Sequence, residues 1–207
     1  MVATAALALA GLLVGVQLLE TALDYLNLQY GADAVRDADE WVRNALDVDD
    51  PEEMLAYQRS KTILSGVQSW LGVLGVVVFV VSGLYGEVTT VLSQTGLSSV
   101  AQGIVLLAGA VVAGRLLSAP FDGYETFVVE ERFGFNNQTV ALWLRDLLVG
   151  TVVALALGGL VAGGVLVAVE ALPTLWPVVG WALVVGFSLL MMIVYPRVIA
   201  PLFNDFE

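Results

Sequence analysis

The side chains of this sequence best suited to chemistry crowd into one stretch, "YETFVVEERFGFNNQT", Tyr124–Thr139. Glu125, Glu130 and Glu131 stand there beside Arg132, the rings of Tyr124, Phe127, Phe133 and Phe135, and the amides of Asn136 and Asn137. The plain reading of such a set is solvated charge at a helix end. A second acidic stretch, "DDPEE" at Asp49–Glu53, reads as a helix start. Asp50 suits the N-cap, Pro51 the first helical position, and Glu52 and Glu53 the positive end of the helix dipole. Adjacent carboxylates diverge on a helix, so this is no metal site. Histidine and cysteine are both absent. That removes thiol, Ser–His and Cys–His catalysis and the usual zinc ligands from these residues. It also leaves the redox compartment unread.

The elements that must position that stretch are apolar. The chain has 207 residues, 58% of them hydrophobic, and a mean hydropathy of +0.87. Several apolar runs reach about 20 residues, enough to cross about 30 Å of hydrocarbon. A membrane β-barrel would instead show alternating segments of about 10 residues. The expected fold is an all-α integral membrane bundle of five transmembrane helices in one N-terminal membrane domain, 1–207. Its spans are expected near 4–23, 63–86, 97–117, 140–169 and 174–198. The first could be read as a cleaved signal peptide, but no Lys or Arg precedes it, against the basic start of such signals.

Net charge is −12, and Lys61 is the sole lysine beside seven arginines. Acidic surface with little lysine suits a halophilic archaeon, where high net charge keeps proteins soluble. It does not suit nucleic acid, which selects clustered basic residues. The basic residues also orient the chain. Arg36, Arg43, Arg59 and Lys61 fall between spans one and two. Arg115, Arg132 and Arg145 flank or occupy the next loop on that side, and Arg197 closes span five. By the positive-inside rule the N-terminus is expected outside and the C-terminus in the cytoplasm. The glycosylation-like "NQT" at Asn137–Thr139 then lies on the wrong side for use.

Between the first two spans, Ala34, Val35, Ala38, Trp41, Val42, Ala45 and Leu46 recur at helical spacing. Asp33, Asp37, Glu40 and Asp47 fall largely opposite. This predicts an amphipathic helix, lying on the bilayer with Trp41 as anchor or packed on another element. Gly11/Gly15 and Gly159/Gly163 are spaced for close helix approach. Gln17, Gln68 and Gln102 are the main deep polar groups, expected to bond between helices. Ionisable side chains gather toward one end of the spans, which disfavours a pump or ion transporter.

Within Tyr124–Thr139, Pro120 is expected to end or kink span three. A short helix through Phe133 would follow, with Gly134 as left-handed C-cap, an Asn136–Asn137 turn and Thr139 capping span four.

That stretch, with "LWLRD" at Leu142–Asp146, resembles the Y-x-T-F-V-I-E-E-x-x-G-F-N-x-Q-T loop of the CAAX prenyl protease 1 family of intramembrane zinc metalloproteases. "YPRVIAPLFNDF" at Tyr195–Phe206 is similar to that family's I-A-P-L-F-N-K-F segment, with Asp205 where Lys is common. "YQRSKTILS" at Tyr57–Ser65 resembles the approach to its second span. The resemblance implies a seven-span enzyme around a chamber, its cytoplasm-facing zinc held by H-E-x-x-H and a later Glu. This sequence resembles only the N-terminal five-span part and carries no H-E-x-x-H, so no catalytic residue, no metal ligand and no cofactor is expected in this chain. Zinc belongs to the full-length enzyme. Tyr124, Glu125, Thr126, Phe127, Glu130, Glu131, Arg132, Gly134, Phe135 and Asn136 are expected to form a contact loop for the chamber or the protease domain. Pro201, Leu202, Phe203 and Asn204 are expected at a domain junction. Implied partners are the lipid bilayer, a downstream or separate zinc protease domain, and prenylated or other membrane protein substrates. The other reading is a non-enzymatic relative that docks or regulates.

Overall fold

The computed structural model describes residues 2–46 and 50–202, and these are helical with no strand. Five stretches are long and apolar enough to cross a membrane: Thr4–Asp37, Pro51–Val81, Ser99–Glu130, Val140–Ala171 and Trp176–Ile199. Each falls on one of the five expected spans. Most run well past the hydrocarbon. A helix of 32 residues is about 48 Å long at 1.5 Å per residue, against a core of about 30 Å, so these helices tilt or project.

The first helix, α1 (Val2–Asp37), continues through the polar residues that follow the apolar run. The expected amphipathic helix is therefore divided. Its first residues end α1, and after Ala38 the remainder forms α2 (Asp39–Leu46). Val42 is buried at 5% exposure while Trp41 is 65% exposed. α2 packs on both α1 and the next helix, α3 (Pro51–Val81), as expected of the packed alternative. Asp47 lies outside the described residues. α3 begins as "DDPEE" predicts: Asp50 is the N-cap, accepting from the amides of Glu52 at 3.0 Å and Glu53 at 3.4 Å, with Pro51 in the first turn.

The helix of the second span ends at Val81, short of the expected residue 86. Gly83 adopts φ +90°, a left-handed conformation that a side chain would resist, and a separate helix α4 (Leu84–Ser93) follows. α5 (Ser99–Tyr124) contains Pro120 and runs through it, so Pro120 does not end the span. In membrane helices a carbonyl freed by proline is re-satisfied locally, which makes the residue tolerable. α5 passes directly into a π-helical turn, Glu125–Glu130. After the loop come α6 (Val140–Ala171) and α7 (Trp176–Val194), then a second π turn, Tyr195–Ile199, and a short 3₁₀ turn, Ala200–Leu202.

Packing divides the chain into two compact units, Met1–Gly86 with Leu117–Gln138, and Glu87–Leu116 with Thr139–Glu207. In the first, α3 packs along α1, and the π turn Glu125–Glu130 packs on α3. The polar bond between α1 and α3 is not made by the expected glutamines. Trp70 donates its indole N–H to Thr21 Oγ1 at 3.0 Å, and Thr21 donates to the Gln17 carbonyl at 2.7 Å. Gln17 is buried at 6% exposure. Gln102 bonds locally to the Leu97 carbonyl at 2.8 Å, closing the start of its own helix.

In the second unit, α6 and α7 pack together, and small residues set the spacing. A Cβ on Gly103 would stand 2.8 Å from Leu166 Cδ1, one on Gly163 3.4 Å from Ile104, and one on Gly164 3.4 Å from Leu183. The expected close-approach pair is thus used at Gly163. At Gly11 and Gly15 nothing comes within 4 Å among the described residues.

Candidate functional site: the Tyr124–Asn136 segment

The segment is built from its two ends. At its start, the π turn replaces the last turn of α5, so helix type changes at Glu125. At its end the chain closes as sequence chemistry predicts. Phe135 N–H reaches back to the Glu130 carbonyl at 2.8 Å, and Gly134 N–H to that of Glu131 at 3.2 Å. This paired closure is the Schellman motif, which needs a left-handed residue at its C′ position. Gly134 supplies it with φ +74°. Asn136 then donates to Glu131 Oε2 at 2.8 Å and accepts from the Gln138 amide at 2.8 Å. Thr139 Oγ1 accepts from Leu142 N–H at 3.3 Å, capping α6. Each of these roles was expected of Gly134, Asn136 and Thr139.

What holds the segment against the rest of its unit comes from α3. Lys61 Nζ lies 2.6 Å from Glu125 Oε1 and 3.6 Å from Glu130 Oε1. Tyr57, one turn earlier, meets Phe133 edge-on at 5.3 Å between ring centroids and Phe135 at 4.9 Å. Lys61 also stands 5.4 Å from the Tyr57 ring centre, within cation–π range. The three charged side chains are each about one-third exposed or less. These contacts are therefore screened less by salt than a surface pair.

The expected contact residues thus divide. Glu125 and Glu130 face Lys61, and Val129 between them is buried. Thr126, Phe127, Phe133 and Asn136 are half-buried. Tyr124, Glu131, Arg132, Gly134 and Phe135 are exposed, with the Arg132 guanidinium 5.6 Å from the Phe133 ring. Pro201 is exposed in the 3₁₀ turn, the buried Ile199 precedes it, and Leu202 ends that turn. Phe203 and Asn204 lie outside the described residues.

Tyr57 and Lys61 are the residues that reading the sequence missed. Their spacing of four puts them on one helix face, and Lys61 is the sole lysine. Nothing local shows that this face meets a stretch more than sixty residues away.

Zinc does not fit the residues present. The chain offers no histidine or cysteine, and among the described residues no three Asp or Glu side chains converge.

A sequence profile described as the CAAX prenyl protease N-terminal region, five membrane helices, matches residues 34–205. The CAAX prenyl protease 1 homolog of Oryza sativa subsp. japonica is 33% identical over 121 residues, 58% of this chain and 28% of its own length. The CAAX prenyl protease 1 of Saccharomyces cerevisiae is 36% identical over 111 residues, 53% of this chain and 24% of its own length. In fold, 98% of the chain overlays half of the crystal structure of S. mikatae Ste24p, with a TM-score of 0.77 and 24% identity. The matches to the curated relatives span less than a third of those relatives' lengths. With five membrane-crossing helices and a profile match over most of its length, the chain belongs to the CAAX prenyl protease N-terminal family.

Proposed function

We propose that this chain is the membrane scaffold of a zinc metalloendopeptidase of the CAAX prenyl protease 1 type. On this reading it helps to wall the substrate chamber and is not catalytic alone. The zinc ligands and the water-activating Glu come from a protease domain outside these residues. The Tyr124–Asn136 segment braces that domain or the chamber mouth. Its substrates are prenylated or other membrane proteins. The observation that carries the reading is the built state of this segment. It is closed by a Schellman motif and pinned by Tyr57 and Lys61, yet it leaves Arg132 and Phe135 exposed. A rigid element offering a cation and an exposed ring is suited to meeting a second surface.

The chain is placed in the cell membrane with its N-terminus outside and its C-terminus cytoplasmic. The support is that all eight basic residues fall in or beside the loops and the chain end assigned to one side. The acidic, lysine-poor composition supports a halophilic archaeal source.

The test is the intact mass of the native protein from source membranes, with zinc measured on the same sample. A species of roughly twice the mass of these residues carrying about one zinc supports the scaffold reading. A metal-free species of 207 residues overturns it and leaves a docking or regulatory protein.

A further inference from the structure

The two carboxylates that meet Lys61 are five residues apart, and that spacing carries information. In an α-helix each residue advances about 100°, so positions five apart point about 140° away from one another. Glu125 and Glu130 could not then both face one amine. A π turn, whose hydrogen bonds run from i to i+5, is wound more loosely than an α-helix, which brings the two toward the same side. The turn Glu125–Glu130 is π-helical over those six residues, and both Oε1 atoms lie within 3.6 Å of Lys61 Nζ. Helix type and ion pairing therefore favour each other here.

We propose that Lys61 is a latch that holds the Glu125–Glu130 turn in its π form, so that the charge on this one amine decides where the rings of the following loop point. The cation has a definite task. Without it, two carboxylates stacked on one face repel. The π form is rare and occurs mostly as single turns inside α-helices, with the α form as its alternative. Relaxing to α shifts the register by about one residue and turns everything downstream by about 100°. That rotation takes Phe133 and Phe135 off Tyr57, which sits one turn before Lys61 on the same face of α3. Charge and ring contacts thus switch together, as expected of a two-state element. The second π turn, Tyr195–Ile199, contains no acidic residue and has no such latch among the described residues. The inference does not depend on what the loop meets, so it stands or falls apart from the scaffold reading.

The test uses the absence of native cysteine. Spin labels on Ser65→Cys in α3 and Asn137→Cys beyond the loop report the register as a distance within one unit. With Lys61 intact the distance distribution is a single narrow peak. In Lys61→Met a second, shifted population appears, and the Phe135 and Asn136 amides, bonded to the Glu130 carbonyl at 2.8 and 3.3 Å, exchange about tenfold faster or more. Lys61→Arg, which keeps the charge, retains the narrow peak. Lys61→Gln, a neutral but polar side chain, gives the Lys61→Met pattern. An unchanged distribution in both Lys61→Met and Lys61→Gln overturns the proposal. So does an equal shift in Lys61→Arg, which would assign the effect to side-chain shape and not to charge.

Discussion

The two compact units show two ways of holding apolar helices together. In the first, α1, α3 and the π turn are joined by directed polar and aromatic contacts: Trp70 to Thr21, Lys61 to Glu125, Tyr57 to Phe133 and Phe135. In the second, helices approach over glycine, with Leu166 on Gly103 and Ile104 on Gly163, and α5 and α6 line a groove of about 450 Å³ with Ala108, Ala154, Gly158 and Gly159. Lipid tails are as apolar as leucine, so burial alone does not drive helices together in a bilayer. Close backbone approach and interhelical hydrogen bonds are two remaining means; the Trp70–Thr21 bond in the first unit shows the one and the Gly103 and Gly163 contacts in the second show the other. The directed contacts specify a geometry. Glycine contacts specify a distance.

Substitutions that exchange these means test the contrast. The largest effect is expected from Gly103→Val. Its Cβ meets Leu166 Cδ1 at 2.8 Å, and overpacking of that kind costs about 1–3 kcal/mol, read as unfolding free energy in a detergent–SDS titration. Leu166→Ala in the same chain should recover part of it, and strict additivity of the two changes would show that they do not touch. Next comes Tyr57→Leu. It removes two ring contacts worth about 0.5–1.5 kcal/mol each beyond area, and its effect should be confined to amide exchange in residues 125–136. A change spread evenly over α1 and α3 would deny the loop its local clasp.

Trp70→Phe is expected to be milder, about 0.6 kcal/mol, the average for an interhelical hydrogen bond in a membrane protein. Thr21→Val combined with it should add less than it costs alone, because both remove the Trp70–Thr21 bond, while Thr21→Val also removes the bond to the Gln17 carbonyl. The smallest effect belongs to Glu52→Gln, which breaks the exposed bidentate pair with Arg36 at 2.8 and 3.2 Å. Any loss there should vanish as salt is raised, whereas the effect of Tyr57→Leu should not.

Much of this was legible locally. The apolar runs follow from composition. The Asp50 cap, the Gly134 turn and the Thr139 cap each depend on the chemistry of a few adjacent residues. The errors lie where a distant partner decides. α1 runs on through polar residues because α3 packs along it. Gln102 turned inward to its own helix end, while Thr21 and Trp70, which no pattern singled out, made the bond between helices.

The sequence by itself determined that the chain is helical, that it crosses a membrane five times, and which short stretches carry the family's signature, because length, hydropathy and capping act over one to thirty residues. Tertiary structure alone decided that Tyr57 and Lys61 clasp that signature, and that Glu125 and Glu130 share one amine through a π turn. A five-residue spacing has no meaning on an α-helix until a partner arrives from another element to select the helix that gives it one.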